Sequence, residues 1–351
     1  MLFSFFGVIL HAVKNDTIHN MKEKVLSTLK SSETDDWLDI RVVRPLAYYC
    51  ALGFAKLDIH PNTVTILSMI IGAASCIFFA HGCYYYEGMS GLWFNLLAIF
   101  LLIWADVYDC TDGQLARMTG KSSRMGRILD GLAGPTWFVP IYIALTYRFY
   151  CHHSLEFNFF GIADTPTNTL IATGILFVFV LISGFYSMSG QQRIADYYIQ
   201  THLFFLKGEK GSELVNSEQQ QQEYDATPTK GNRLWKIFLK SYISYTRQQE
   251  KATPQFQRLM RVMKEKFGSA NNMPAEVREE LHSESLKLMK WNGMLTFNFR
   301  TAFFILFCLI DLPSVYFIVF EVTCMEIFCR WIRSRHEGFC KRVADNVSQG
   351  L

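Results

Sequence analysis

Six stretches of apolar sequence decide what this chain can become. Residues 64–80, 92–105, 128–147, 170–188, 299–310 and 315–328 are each dominated by aliphatic and aromatic side chains. A helix needs about 20 such residues to cross the hydrocarbon of a bilayer, and the shorter stretches reach that length with flanking residues or tilt. No long alternating pattern points to strands, and no internal repeat is evident. The expected fold is therefore all-α, a six-transmembrane-helix bundle. The last two stretches are separated only by Asp311-Leu312-Pro313, so one re-entrant hairpin is the alternative reading for that pair.

The charges test this reading independently. With the N-terminus inside, all but one of the 34 Lys and Arg fall on the inner side, and the exception is Arg148, at the outer end of the third stretch. The outer loops, 82–91 and 311–313, carry neither residue type. This is the positive-inside pattern, and it predicts a multi-pass membrane protein with both termini cytoplasmic (in the cytoplasmic membrane if the source is bacterial). Half the residues are apolar and 19% are charged, which excludes a disordered chain. A net charge of +3 is too small for a nucleic-acid surface. Nine cysteines, an odd number with no Cys-x-x-Cys pair, argue against a disulfide framework or a zinc site.

Five segments follow along the chain: 1–60 as an N-terminal segment with an interfacial helix, 61–190 as spans one to four, 191–294 as a helical cytoplasmic insertion, 295–332 as spans five and six, and 333–351 as a cytoplasmic tail. Residues 1–13 are apolar but too short to span, and they lack the features of a signal peptide. Residues 35–56 mix Trp37, Val42, Leu46 and Phe54 with Asp39, Arg41 and Arg44, which suits an amphipathic helix lying on the membrane. Within the insertion, 207–232 is polar and reads as a mobile loop. Leu234, Trp235, Ile237, Phe238 and Tyr242, with Lys236 and Lys240, predict an amphipathic helix at the headgroups. Pro254 and Pro274 sit where helices start. His152 and His153 have no acid beside them in sequence and are expected to be solvated. Asn15-Asp16-Thr17 and Asn346-Val347-Ser348 match the glycosylation pattern, but both are predicted to face inward.

The second stretch runs into acids: Asp106, Asp109 and Asp112, then Gly113. Ionisable groups at membrane depth are costly and point to function. Asp109 and Asp112 are three residues apart and share a helix face. Like charges so placed repel unless a cation sits between them, and Mg²⁺ is held by one or two carboxylates together with substrate phosphates. Gly113 removes a side chain beside Asp112, so a ligand can approach closely. Arg117 offers a planar charged fork suited to phosphate. Lys121, Arg124 and Arg127 add positive charge, Ser122 and Ser123 add hydroxyls, Gly126 permits a second close approach, and Asp130 returns a carboxylate. Acids, glycine, a basic loop and a further acid read as a metal–diphosphate site at the inner surface.

This pattern resembles the CDP-alcohol phosphotransferases of phospholipid synthesis, whose signature is D-x2-D-G-x2-A-R-x8-G-x3-D-x3-D. Asp109, Asp112, Gly113, Ala116, Arg117, Gly126 and Asp130 stand at matching spacing. Arg44-Pro45-Leu46 and the segment from Ile59 to Thr65 are also similar to the family, and the resemblance covers about residues 35–195. It implies transfer of a phosphatidyl or similar phospho-alcohol group from a CDP-alcohol, such as CDP-diacylglycerol, to an acceptor hydroxyl, with release of CMP. The acceptor class is a polyol or polyol phosphate, such as inositol phosphate or glycerol phosphate. It implies Mg²⁺ or Mn²⁺, a membrane lipid substrate and a homodimer. By the same resemblance Asp109 and Asp130 bridge metals and Asp112 binds one. Gly113, Arg117 and Ser123 contact the CDP group, and Asn62 to Thr65 lie near the cytidine. Arg193, Arg300 and Arg124 are candidates for an acceptor phosphate.

The sequence departs from the signature at its last position, where Gly134 replaces the fourth aspartate. In the family that residue helps hold a second metal and deprotonates the acceptor, so the general base is unassigned. Asp106, Glu321 and Glu326 are surrogate candidates. Two rival readings follow: a catalytically impaired relative that binds CDP-lipid or acts as a partner protein, and a transporter that uses the buried acids.

Overall fold

The computed structural model describes residues 33–34, 39–212 and 214–349. The expectations for residues 1–13, 15–17 and 35–38 lie outside them. The described elements are helical, with no strand among the described residues. The helices used below are α1 (Arg44–Lys56), α2 (Pro61–Ala80), α3 (Met89–Thr119), α4 (Arg124–Cys151), α5 (Ser154–Phe160), α6 (Pro166–Leu181), α7 (Ser189–Lys207), α8 (Ser217–Ala226), α9 (Arg233–Ala252), α10 (Pro254–Phe267), α11 (Ala275–Asn292), α12 (Phe297–Leu309) and α13 (Met325–Gln349).

Two compact units divide the chain. The first comprises Met1–Gly184 and Thr301–Phe320, the second Phe185–Arg300 and Glu321–Leu351. In the first unit α2 packs along α3 and α4, and α1 packs on α3. Val43, Cys50, Ala51 and Phe54 close with Val64, Val107 and Leu115 into one apolar cluster. The apolar side chains of α1 are thus largely buried against the protein, and Leu46 is left facing out, as is Val42 just before the helix.

Among the described residues, five helical segments are long and apolar enough to cross a membrane: Pro61–Ala80, Met89–Thr119, Arg124–Cys151, Pro166–Lys207 and Ala275–Leu309. Six were expected. The sixth stretch is helical, but it is split between Pro313–Val315, a π-helical segment Tyr316–Cys324 and the start of α13. It also holds Glu321 and Glu326 and runs into Arg330, Arg333 and Arg335.

The outlying Arg148 has a local explanation within the first unit. It is 2% exposed, pairs with Asp311 and donates to Asn95 Oδ1 and the Cys308 carbonyl. Asp311 in turn accepts from the backbone N–H groups of Tyr84 and Tyr85. The charge is neutralised inside the protein. Nearby, buried Glu156 accepts from the backbone N–H of Ser314 at 2.9 Å. Burial pushes the Glu156 carboxyl up to about 7.

In the second unit α7 packs on α11, and α10 packs on α13. Phe204, Phe205, Phe256, Leu259, Leu281 and Phe339 are central to its core. Helices start at Pro254 and directly after Pro274, as the sequence predicts. The supposed loop 207–232 is corrected in part, because it contains α8. Asn216 and Gln219 cap that helix reciprocally, a capping box, and the Glu250 carboxylate accepts from the Ser217 backbone and hydroxyl.

His152 and His153 differ from expectation too. His153 Nε2 lies 3.1 Å from Asp164 Oδ1, and His152 lies 3.9 Å from Glu87. The two acids are distant in sequence from the pair's immediate flanks, so inspection of neighbours does not reveal them. Both rings are partly shielded rather than solvated.

Candidate functional site

Three helices of the first unit bring the signature residues together. Helix α2 opens with His60 outside the first turn and Pro61 at its start, and His60 Nδ1 accepts from the Asn62 N–H. Proline suits this position because its missing N–H would be unpaired there anyway. Helix α3 is one continuous helix of 31 residues, so the apolar segment and the acids share a single rigid element. It ends at Gly120, whose φ of +67° is a left-handed conformation that glycine adopts without strain. Three residues later Ser123 caps α4, its hydroxyl accepting from the Gly126 N–H at 2.9 Å. The short connection returns Asp130 to the neighbourhood of Asp109 and Asp112.

The acids form a group. Asp109 lies within electrostatic reach of Asp112, Asp130 and Asp106. Asp112 is 6% exposed, the Thr65 hydroxyl sits beside its carboxylate, and the Arg117 guanidinium is close by. Two carboxylate oxygens, Asp109 Oδ1 and Asp112 Oδ2, are buried with no hydrogen-bond partner among the described residues. Buried polar atoms are nearly always partnered, and a carboxylate oxygen is a hard ligand for Mg²⁺ or Mn²⁺. The donor set therefore fits a divalent cation.

Opposite the acids, α2 and α4 make a polar edge. The Ser123 hydroxyl donates to Asn62 Oδ1 at 3.4 Å. A Cβ on Gly126 would come within 3.0 Å of Asn62 Oδ1 and 3.2 Å of Ser123 Oγ, so any larger residue would push these side chains by a few tenths of an ångström. Gly113 is less crowded: a Cβ there would meet only the Arg117 guanidinium, at 3.5 Å. Ala116 is half-buried, while Arg117, Arg124 and Asp130 are exposed. At the rim Lys121 Nζ lies 2.6 Å from Asp58. The Lys121 hydrogen bond and charge hold the Asp58 carboxyl below the usual carboxylate range, although an exposed pair adds little stability.

Gly134, where the signature has an acid, has open space: a Cβ there would meet nothing within 4 Å. No steric requirement excludes the missing aspartate.

Asn62, Thr65, Asp109, Asp112, Gly113, Ala116, Arg117, Ser123, Gly126 and Asp130 all belong to this unit. The other two arginines proposed for an acceptor belong to the second unit. Arg300 is 1% exposed and its guanidinium bonds Glu321 and Gln191. Arg193 donates to Gln248 and lies over the Tyr245 ring. Glu326 accepts from Arg330 and Gln191. One residue escaped sequence reasoning. Gln114, fully buried, ties α3 to the Arg44 carbonyl, whereas His60, the α2 cap, lies in the segment already singled out. His60 precedes Pro-Asn-Thr, a visible helix start; nothing in the sequence marks Gln114.

Residues 58–163 match the family model of the CDP-alcohol phosphatidyltransferases, a family of phosphate-group transferases that generally depend on a divalent metal. The matched segment contains every signature position from Asp109 to Asp130. Neither a search of curated proteins nor a search of solved structures finds a match.

Proposed function

We propose that this integral membrane protein transfers a phospho-alcohol group from a CDP-alcohol to an acceptor hydroxyl and releases CMP. The observation that carries the reading is the pair of buried, unpartnered carboxylate oxygens of Asp109 and Asp112, set beside Asp130 at the end of a membrane helix.

Asp109, Asp112 and Asp130 are the residues that would hold Mg²⁺ or Mn²⁺. A divalent ion so held neutralises diphosphate charge and assists departure of CMP. The chain's own groups account for the rest of the binding. Thr65 sits beside the Asp112 carboxylate and would orient it. Arg117 would add its planar cation to the diphosphate, and Gly113 leaves the approach to it clear. Asn62, Ser123 and Gly126 form a tight polar edge that suits the nucleotide side, with Ala116 as a small neighbour. The acceptor oxygen attacks the phosphorus next to the donor alcohol, the bond to CMP breaks, and the acceptor proton leaves to a base. Glu321 is paired with Arg300, which weakens its claim to be that base, while Asp106 lies near Asp109. Acceptor candidates are polyols and polyol phosphates, and of the three arginines Arg124 shares the unit of the aspartates, while Arg193 and Arg300 belong to the second unit and are engaged there.

The test is incubation of purified protein with CDP-diacylglycerol, Mg²⁺ or Mn²⁺ and a panel of acceptors, with CMP release as readout. Release that needs both metal and an acceptor supports transfer. Gly134 favours a second reading, a relative that binds CDP-lipid without turnover. Metal-dependent nucleotide binding with no CMP from any acceptor would select it.

A further inference from the structure

The cytoplasmic insertion carries a polar hollow that the transfer reading does not use. It lies in the second unit as a shallow, open depression of about 410 Å³ and is lined by Arg193, Lys240, Ser241, Ser244, Tyr245 and Gln248. Arg193 donates one bond to Gln248, yet its Nε is buried with no partner among the described residues. Lys240 is exposed. A second hollow of about 470 Å³ shares Lys240, Ser244 and Gln248 and adds Arg247 and Lys251. Asp196, the acid nearest Tyr245, accepts from the Tyr245 hydroxyl at 2.8 Å. Two cations and two serine hydroxyls are what a phosphate group requires.

The same helix says where that phosphate comes from. Leu234 is 62% exposed and Ile237 is 64% exposed, while Trp235, Leu239 and Ile243 on the other side of α9 are buried. Leu234, Ile237, Ser241, Ser244 and Gln248 are spaced by three or four residues and so form one stripe. Along it, two bare aliphatic side chains lead directly into the polar hollow. Arg233, Lys236 and Lys240 flank the aliphatic pair. Arg193 stands five residues past Met188, where an apolar stretch ends, the level at which arginine reaches headgroups. A soluble anion has no use for Leu234 and Ile237, but a lipid presents phosphate and acyl chain together.

We propose that the exposed face of α9, with Arg193, is a docking site for an anionic phospholipid of the surrounding bilayer. The phosphate sits in the hollow, and Leu234 and Ile237 enter the interface. The site is distinct from the aspartate cluster and does not depend on its chemistry.

Hydrogen–deuterium exchange on the full-length protein in nanodiscs tests this. One disc contains only phosphatidylcholine and the other includes phosphatidic acid. Each basic residue near an anionic surface contributes roughly 1 kcal/mol, about a fivefold effect. Exchange in residues 233–245 should be at least about fivefold slower in the anionic disc, and Lys240→Glu should abolish that difference. Exchange in α10 and α13 reports whether the variant remains folded, and the wild-type comparison stands without it. Inorganic phosphate added to the neutral disc should give no protection. Equal exchange in the two discs, or equal protection by inorganic phosphate, would overturn the proposal.

Discussion

At the scale of single residues, the candidate site is defined by what its acids lack. Asp109 and Asp112 each keep one buried oxygen without a partner, a cost that a bound cation would offset. Asp112→Ala should lower CMP release by about a hundredfold or more, because electrostatic stabilisation at such centres is worth several kcal/mol. The same variant should keep its fold, since it removes a buried carboxylate that has one oxygen without a partner. Gly134→Asp enters open space and should raise turnover if the missing base limits the reaction. An unchanged rate, with metal binding intact, would show that the proton leaves by another route. Glu156 supplies a pH test away from the site. Burial raises its carboxyl to about 7, above its ordinary value, so the folded state holds the proton more tightly than the unfolded state does. Its contribution is present below pH 4.5 and is lost as pH rises toward 7. Thermal midpoints should fall over that window by an amount equivalent to about 3 kcal/mol or less, and Glu156→Gln should flatten the slope.

Much of the site was legible because its members lie close in sequence. Asp109, Asp112, Gly113 and Arg117 occupy successive turns of one helix, and a 3.6-residue period suffices to group them. Asn62 and Ser123 are 61 residues apart, and only the resemblance anticipated that both serve one site. Gln114 was invisible because its partner is a backbone carbonyl on another helix, which leaves no mark on the residue type.

Elements show where periodicity misleads. The polar run before α9 has no apolar stripe, so it reads as a loop; a capping box at Asn216 and Gln219 nevertheless starts a helix there. Asn216→Ala should destabilise it by about 1 kcal/mol, seen as faster amide exchange over Ser217–Ala226 with the rest of the chain unaffected. The sixth apolar stretch misleads in the other direction. Its composition suits a spanning α-helix, but the backbone over Tyr316–Cys324 is π-helical, and π segments are rare and concentrated at functional positions. Inside it Glu321, fully buried, meets Arg300. Neither the altered hydrogen-bond register nor that pairing can be inferred from hydropathy. Helix α3 is the opposite case, since apolar run, acids and terminal glycine all agree on one continuous rod.

For the whole molecule, five apolar helices and the lopsided distribution of basic residues describe a chain built into a bilayer. Arg148 was the sole exception to that distribution, and its buried pairing with Asp311 explains why it is tolerated. Asp311→Asn should destabilise the protein by about 3–5 kcal/mol, because a guanidinium would remain buried without its counterion. The loss should appear as a lower thermal midpoint, largely restored in the double variant Arg148→Met/Asp311→Asn.

The pairing also has an electrical meaning. A positive charge carried to the outer face works against an inside-negative membrane potential by about 2.3 kcal/mol for each 100 mV. With the termini inside, as the charge pattern predicts, Arg148 and Asp311 would arrive there as a pair whose charges sum to zero, and assembling that end of the protein would be indifferent to the voltage across the membrane. Once Asp311 is replaced, insertion of the remaining cation becomes a voltage-dependent step, and collapsing the potential should ease accumulation of the single variant while leaving the wild type unchanged.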